Sequence, residues 1–312
     1  MRPEPRIPLK KYLRPEERPV TIAAGFKFDD GLIICADTQQ TYSGVLKLDA
    51  TKLVPINFAH NGRSQVVFAI SGSVRYAQMA IQKIQAAIAK RRPEDMTLLG
   101  IFESIETELL AFHKAHIYPH PRYGMLGGPE FSLLVGAWSH LDGMGLFRTD
   151  DTAVNGIDDY ACVGTGEYLA HYLVKPLYQS TGLELNEIVA LATHVLLNAK
   201  VHVDGCGGNS EFIVIHKDGH LSPVGWFDIS QGESYSQDFE GAMQLVFYAA
   251  ADLNKSSDDL TAALEAFRSI LETGKAQRAQ EREKRSKLIK ALSGRVIKGT
   301  SHATGTLSSK HN

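Results

Sequence analysis

Residues 21–37, TIAAGFKFDDGLIICAD, hold two short apolar runs folded about Asp29-Asp30-Gly31. Alternation puts Ile22, Ala24, Phe26 and Phe28 on one side of a strand, and the Asp-Gly turn sends the chain back through residues 32–36. That is the pattern of a β-hairpin, and it commits the chain to antiparallel pairing with a sheet face that something must cover. The device recurs. Residues 45–55 and 65–71, with Asn61-Gly62 between them, read as a second strand pair, residues 131–137, 143–149 and 160–163 as further strands, and residues 211–216 and 220–224 as a hairpin around Asp218-Gly219. Helical spacing occupies residues 74–91 and 94–116, with Pro93 as a break, and again residues 167–180 and 185–201. The order is strands, two helices, strands, two helices, strands. Two mostly antiparallel sheets packed face to face, with helices on both outer sides, cover every open face: an α+β, four-layer αββα sandwich.

Around this body the texture changes. Residues 1–20 are Pro-rich with mixed charges and read as a leader or extension, removable or misassigned at its start. Residues 21–226 carry the sandwich. Residues 227–292 form a helical appendix, with helical pattern at 239–253 and 258–291, and residues 293–312 read as a disordered tail. The appendix concentrates nine Lys/Arg within residues 275–298, either a solvated helix end or a docking segment for an acidic partner. Thirty-three Lys+Arg against thirty-five Asp+Glu leave a formal charge of −2, which offers no basic field for nucleic acid. No run reaches the roughly 18 uncharged apolar residues of a membrane span, and residues 1–20 lack the apolar centre of a secretory signal, so the reading is a cytoplasmic protein. Cys35, Cys162 and Cys206 are odd in number and widely spaced, which disfavours a disulfide framework and a zinc site.

Three residues suggest chemistry. Thr21 opens the first strand, Asp37 ends the second, and Lys52 lies in KLDATKL, ahead of His60-Asn61-Gly62. The ends of a hairpin return to one edge, so Thr21 and Asp37 become neighbours, and Lys52 on the next strand reaches the same spot. A threonine hydroxyl is a poor nucleophile until something takes its proton, and a free α-amine on the same residue is a base within reach. That amine titrates near neutrality, at about 7.7–8.0, and a nearby ammonium lowers it further. Taken alone, the plainer reading of the trio is a strand threonine beside a surface ion pair.

The words TIAAGFKFDDGLIICADTQQT, KLDATKL, FAISGSVRYAQ, ACVGTGEYLA and VDGCGGNSEFIVI stand in that order across residues 21–224. Together they resemble the proteasome β-subunits and their bacterial peptidase relatives among the N-terminal-nucleophile hydrolases. The resemblance implies the same αββα sandwich and threonine peptidase activity without a cofactor. It further implies a peptide or unfolded polypeptide substrate, self-assembly into a homo-oligomer such as a ring, and association with an ATPase or regulatory partner. It makes Thr21 the nucleophile, its freed α-amine the base, and Asp37 and Lys52 the supporting pair. Backbone N–H groups near Ile70, Ser71 and Gly72 would face the oxyanion. Thr165, inside Gly164-Thr165-Gly166, stands where the family usually has Ser; Asp204 would orient the amine; and Cys206, before Gly207-Gly208, stands where another Ser is expected, in a loop one residue short.

Family members expose the threonine by self-cleavage after glycine, whereas Pro19-Val20 precede Thr21 here. Either the working chain starts at Thr21 by another route, such as initiation at a GUG codon read as Val20 followed by trimming, or residues 1–20 stay. In the second case the protein is an inactive assembly subunit. Hydrolysis of a small amide on the same scaffold is a third reading. Val163-Gly164-Thr165-Gly166 has Leu169 where a dinucleotide loop has its third glycine, and no β-α-β unit surrounds it, so no nucleotide cofactor is expected. His113, His116 and His120 straddle Tyr118-Pro119 and read as a solvated loop, not as metal ligands.

Overall fold

The computed structural model describes residues 21–42, 46–58, 64–125, 128–179 and 182–300. The leader, the Asn61-Gly62 turn and residues 301–312 of the tail lie outside the described residues. The chain divides after Glu233 into two units.

In the first unit, β1 (Ile22–Phe28) and β2 (Gly31–Asp37) form the hairpin about Asp29-Asp30. A two-stranded ribbon follows, β3 (Gln39–Tyr42) against β4 (Leu46–Asp49). One sheet then runs in simple order through β5 (Leu53–Phe58), β6 (Ser64–Gly72), β7 (Phe131–Ser139), β8 (Gly143–Asp150) and β9 (Ala153–Ile157). Finally β10 (Tyr160–Gly164), β11 (Ser210–His216) and β12 (Leu221–Pro223) join the first hairpin in the order β10-β1-β2-β11-β12. Every pairing in both sheets is antiparallel. Helices α1 (Val74–Ile88) and α2 (Leu98–Phe112) cover the β5–β9 sheet, and α3 (Glu167–Val174) and α4 (Leu185–His202) cover the other.

The period-two pattern explains the layering. On β1, Ile22, Ala24 and Phe26 pack with Ala170, Ile188 and Leu196 of the helical layer, while Ala23 faces the opposite sheet. On β6, Val66, Phe68 and Ile70 meet α1 and α2, and Val67 and Ala69 meet Leu32, Ile34 and Leu134 between the sheets. Strands buried on both faces need apolar residues at nearly every position, as LIICA and VVFAI show.

The structure departs from the expected elements where polar residues hide the signal. The run expected at residues 45–55 is two strands, β4 and β5, because Asp49-Ala50-Thr51-Lys52 carries the chain from the ribbon to the second sheet: Thr38 Oγ1 donates to Asp49 Oδ1 at 2.8 Å and Ala50 N–H to Thr38 O at 2.8 Å. β9 was not anticipated, since most of Ala153–Ile157 is solvent-facing. α2 starts at Leu98, where the Thr97 hydroxyl caps it by accepting from Gly100 N–H at 2.9 Å, and not at Glu94. α3 stops at Val174, short of residue 180, ahead of Pro176.

α5 (Trp226–Ala251) passes from the first unit into the second, where α6 (Ser257–Thr300) follows. Within the second unit the two helices run antiparallel: the Phe239 and Phe267 rings meet edge-on at 6.3 Å, and Arg278 sits 5.1 Å over the Tyr235 ring while donating to Asp238 Oδ2 at 3.0 Å. α6 continues past residue 291, to Thr300.

The layering gives a stability test. Phe68 is fully buried between β6 and the α1/α2 layer, so Phe68→Ala is expected to lower unfolding free energy by about 3–5 kcal/mol in urea denaturation. Leu99→Ala, at a position 64% exposed, is expected to change it by less than about 0.5 kcal/mol. Equal effects from both would contradict the assignment of faces.

Candidate active site

The β1–β2 register, Ala23 opposite Ala36, brings Thr21 and Asp37 to one end of the first sheet, where Ile22 N–H donates to Asp37 Oδ1 at 3.2 Å. Lys52 comes from the other sheet. It immediately precedes β5 and is fixed there by its carbonyl, which accepts the Ile70 N–H at 3.0 Å. Its side chain crosses to the first sheet and is fully buried. Lys52 Nζ donates to Thr21 Oγ1 at 2.7 Å, to Asp37 Oδ1 at 2.7 Å and to Gln39 O at 2.6 Å. Three ammonium protons therefore have three acceptors, the condition for keeping a buried lysine charged. Asp37 accepts from Lys52, Ile22 N–H and, on Oδ2, Gly207 N–H at 3.0 Å. Burial pushes the Lys52 ammonium below the usual lysine value and the Asp37 carboxyl above the usual carboxylate value. Their mutual attraction opposes both shifts, and the geometry is that of an ion pair.

A second layer of contacts holds this cluster. The loop after α4 is stitched to the end of β2: Thr38 N–H donates to Asn209 O at 2.9 Å, Gln39 N–H to Gly207 O at 3.0 Å, and Gln39 Nε2 to Gly205 O at 2.8 Å. Gly208, at φ +70°, is required there, because a Cβ would stand 2.5 Å from both Asp49 Oδ1 and Thr38 Oγ1. On the other flank, β10 pairs Gly164 with Ile22, and Gly166 N–H points at Thr21 O at 3.5 Å. Gly164 has φ +107°; a Cβ there would collide with Thr21 O and lie 2.9 Å from Ser71 Oγ.

Thr21, Asp37 and Lys52 are thus brought together, and all three are buried. Thr165 lies half-buried in the turn that meets the Thr21 backbone. Cys206 is buried beside the ion pair, its thiol pushed up to about 12 by burial and by the Asp37 carboxylate, with Lys52 opposing. Asp204 is exposed in the same loop. Of the three backbone positions on β6, the Ile70 N–H is committed to Lys52 O, while Ser71 and Gly72 end the strand beside the site. Sequence reasoning missed Gln39 and Gly207. They act through a carbonyl and an N–H that every residue type offers, so no side-chain signal marks them.

Two antiparallel sheets between helical layers, with a threonine, lysine and aspartate joined at one end, define a protein of the N-terminal-nucleophile hydrolase fold. Residues 20–215 match the family described as Proteasome subunit, and the chain belongs to that family, with a β-subunit-like fold. Among solved structures it is similar to Anbu, the ancestral β-subunit, from Yersinia bercovieri, with a TM-score of 0.60 and 12% identity over 75% of this chain and 99% of that one. It is also similar to Anbu from Hyphomicrobium sp. strain MC1, with a TM-score of 0.56 and 12% identity, covering 72% and 97%. A Gly-1 mutant of the latter gives 0.57 and 14%, again covering 72% and 97%. At such identities the likeness is one of fold. No curated protein matches the chain.

Two other groups bear on chemistry. Among the described residues no cluster of His, Cys, Asp and Glu could hold a metal ion, and no helix is long and apolar enough to cross a membrane. The histidines expected in a solvated loop include one that is not solvated. α2 continues through a π-helical turn, His113–Ile117, which carries His113 into the core, fully buried, with both ring nitrogens unpartnered and its ring 5.6 Å from those of Tyr118 and Phe131. Burial lowers its pKa, against the opposing charges of Asp151 and Glu130.

These environments yield two predictions. The thiols of Cys206 and Cys162 are pushed up to about 12 and that of Cys35 is raised as well, all mainly by burial, so a thiol reagent at about pH 8 should label none of them in the folded protein and all three after denaturation. Labelling of Cys206 in the folded state would show an activated thiol. His113 favours its neutral form when folded, so the unfolded chain binds the extra proton as pH falls below about 6.5 and stability is lost on the acid side. The urea midpoint should be lower near about pH 5.5 than near about pH 7.5, and His113→Leu should reduce the difference. The same difference in the variant would rule this out.

Proposed function

We propose that the chain is a threonine-type amide hydrolase in which Thr21 Oγ1 attacks the substrate carbonyl. The observation that carries this reading is a fully buried ammonium donating to that hydroxyl oxygen at 2.7 Å. Such a donor stabilises the alkoxide that forms as the hydroxyl loses its proton, and most strongly where water is excluded. Lys52 cannot take the proton, since all three of its own are engaged. Asp37 already accepts from three donors, and the Cys206 thiol is neutral at neutral pH. The base within reach is the nitrogen of Thr21 itself, provided it is a free amine. In the Val20–Thr21 peptide bond it has no basic lone pair.

The reaction then proceeds in balanced steps. The Thr21 hydroxyl proton passes to the α-amine as Oγ1 bonds to the carbonyl carbon, and the oxyanion is held by the N–H at Gly72, since the register commits the Ser71 N–H to β7. The resulting ammonium returns the proton to the leaving amine as the C–N bond breaks, leaving an ester on Oγ1. The amine next takes a proton from water, the hydroxide adds to the ester, and Oγ1 leaves with that proton. Orientation of the amine is assigned to Thr165 and Asp204, and Cys206 fills its place as a neutral thiol. A peptide or unfolded polypeptide substrate, ring assembly and an ATPase-type partner enter this reading by family analogy alone.

A second reading has its own support: Pro19-Val20, not the glycine after which family members cut themselves, precede Thr21. A protein that keeps those residues has no base and serves as a silent assembly subunit. N-terminal sequencing of the native protein separates the two. A form released by cleaving a fusion immediately before Thr21 is expected to hydrolyse a fluorogenic peptide and to gain one acyl group at Thr21 from a β-lactone. Thr21→Ala should lose at least about 10³-fold in rate, and Lys52→Ala about 10²-fold or more. Hydrolysis that persists with residues 1–20 attached, or in Thr21→Ala, would falsify the mechanism.

A further inference from the structure

Arg148 lies on β8, in the sheet opposite Thr21, yet its guanidinium reaches the segment that flanks Thr21. Nη1 donates to Cys162 O at 3.2 Å and to Glu167 Oε1, and Nη2 donates to Glu167 Oε2 at 3.1 Å. A planar fork engaging both carboxylate oxygens fixes direction as well as distance. Cys162 lies before the Gly164-Thr165-Gly166 turn and Glu167 after it, as the first residue of α3. One side chain therefore grips both ends of the turn. His171, one helical turn further along α3, adds a contact from Nε2 to Glu167 Oε1 at 3.5 Å. The turn itself is in close contact with the candidate nucleophile, through Gly166 N–H on Thr21 O and Gly164 packed against the same carbonyl and Ser71 Oγ.

We propose that Arg148 and Glu167 are positioning residues: they clamp the Gly164–Gly166 turn so that Thr165 and the Thr21 backbone keep their mutual placement. This rests on the hydrolase reading for its kinetic consequence but not for its structural one. Lys52 secures the Thr21 hydroxyl from the second sheet, and the clamped turn meets the Thr21 carbonyl from β10, so the side chain and the main chain of Thr21 are held by separate devices. Releasing the clamp shifts the Thr21 main chain, and with it the Cα that carries the proton acceptor, while leaving the ion pair in place. A loss of that kind falls on the rate of acylation and its pH dependence more than on substrate binding.

The test compares the form beginning at Thr21 with its Arg148→Gln, Arg148→Lys and Glu167→Gln variants, by crystal structure and by rate of acylation with a β-lactone across pH. Arg148→Gln and Glu167→Gln should each slow acylation about tenfold, shift its pH profile and displace residues 164–166 relative to Thr21, with the Lys52–Asp37 pair unmoved. Arg148→Lys, which keeps the charge but loses the fork, should fall between. The double variant should be no slower than either single one, because both remove the same clamp. An unmoved turn, or an acylation rate and pH profile equal to those of the parent, overturns the proposal. Should the parent resist acylation while the turn shifts in Arg148→Gln, the clamp stands and the hydrolase reading is what fails.

Discussion

A lysine side chain with no exposure to water keeps its charge only if three acceptors surround it, and much of the first unit is arranged to supply them to Lys52. Asp37 must end β2 at the right register, Gln39 must turn its carbonyl inward as the chain leaves for the ribbon, and Thr21 must open β1. The lysine itself must be delivered from the second sheet, which the Lys52 O to Ile70 N–H bond ensures. The β3–β4 ribbon, whose pairing had no sequence signal, makes structural sense in this light. It occupies the span between Asp37 and Lys52 and returns the chain from one sheet to the other beside the site.

Stability is a weak reason for such a pair. A buried lysine and aspartate both lose hydration, and apolar residues of similar volume often serve a core at least as well. The β6 strand shows how readily this sandwich fills its interior with Val, Phe, Ala and Ile. At the Thr21 end, by contrast, three polar residues meet, with main-chain groups satisfying what their side chains leave over. Under the proposed mechanism, the meaning of the pair lies in the field it places on one oxygen. A positive charge held by fixed dipoles in a closed site needs no reorganisation when negative charge develops beside it.

The αββα layering was legible because short apolar runs flank turn words such as Asp29-Asp30-Gly31 and Asp218-Gly219, and because both helical pairs fall between strand groups. Thr21 and Asp37 could be placed together from hairpin geometry alone. What escaped was carried by groups that have no letter in the sequence: the Gln39 carbonyl, the Gly207 N–H, and the Ile70 N–H that turns out to be spent on Lys52. β9 escaped because an edge strand with most of its residues facing water loses the apolar signature. His113 was misread for a different reason. The three-histidine spacing across Tyr118-Pro119 reads as a solvated loop, whereas a π-helical turn, His113–Ile117, follows α2 and holds His113 in the core ahead of the proline.

The same separation between side-chain and main-chain control explains how a fold can be shared at 12–14% identity. The sandwich requires only that apolar residues recur at the inward positions, and many sequences meet that demand. Placement of Thr21 requires more, yet most of it is main chain: the β1–β10 ladder, the glycine at residue 164 where any Cβ would strike the Thr21 carbonyl, and the Gly207 amide on Asp37. Only the charges need specific side chains. A chain can therefore diverge almost everywhere while keeping a lysine, an aspartate and a threonine at the end of two sheets, and under the proposed mechanism the chemistry turns on whether the nitrogen of that threonine is an amide or an amine.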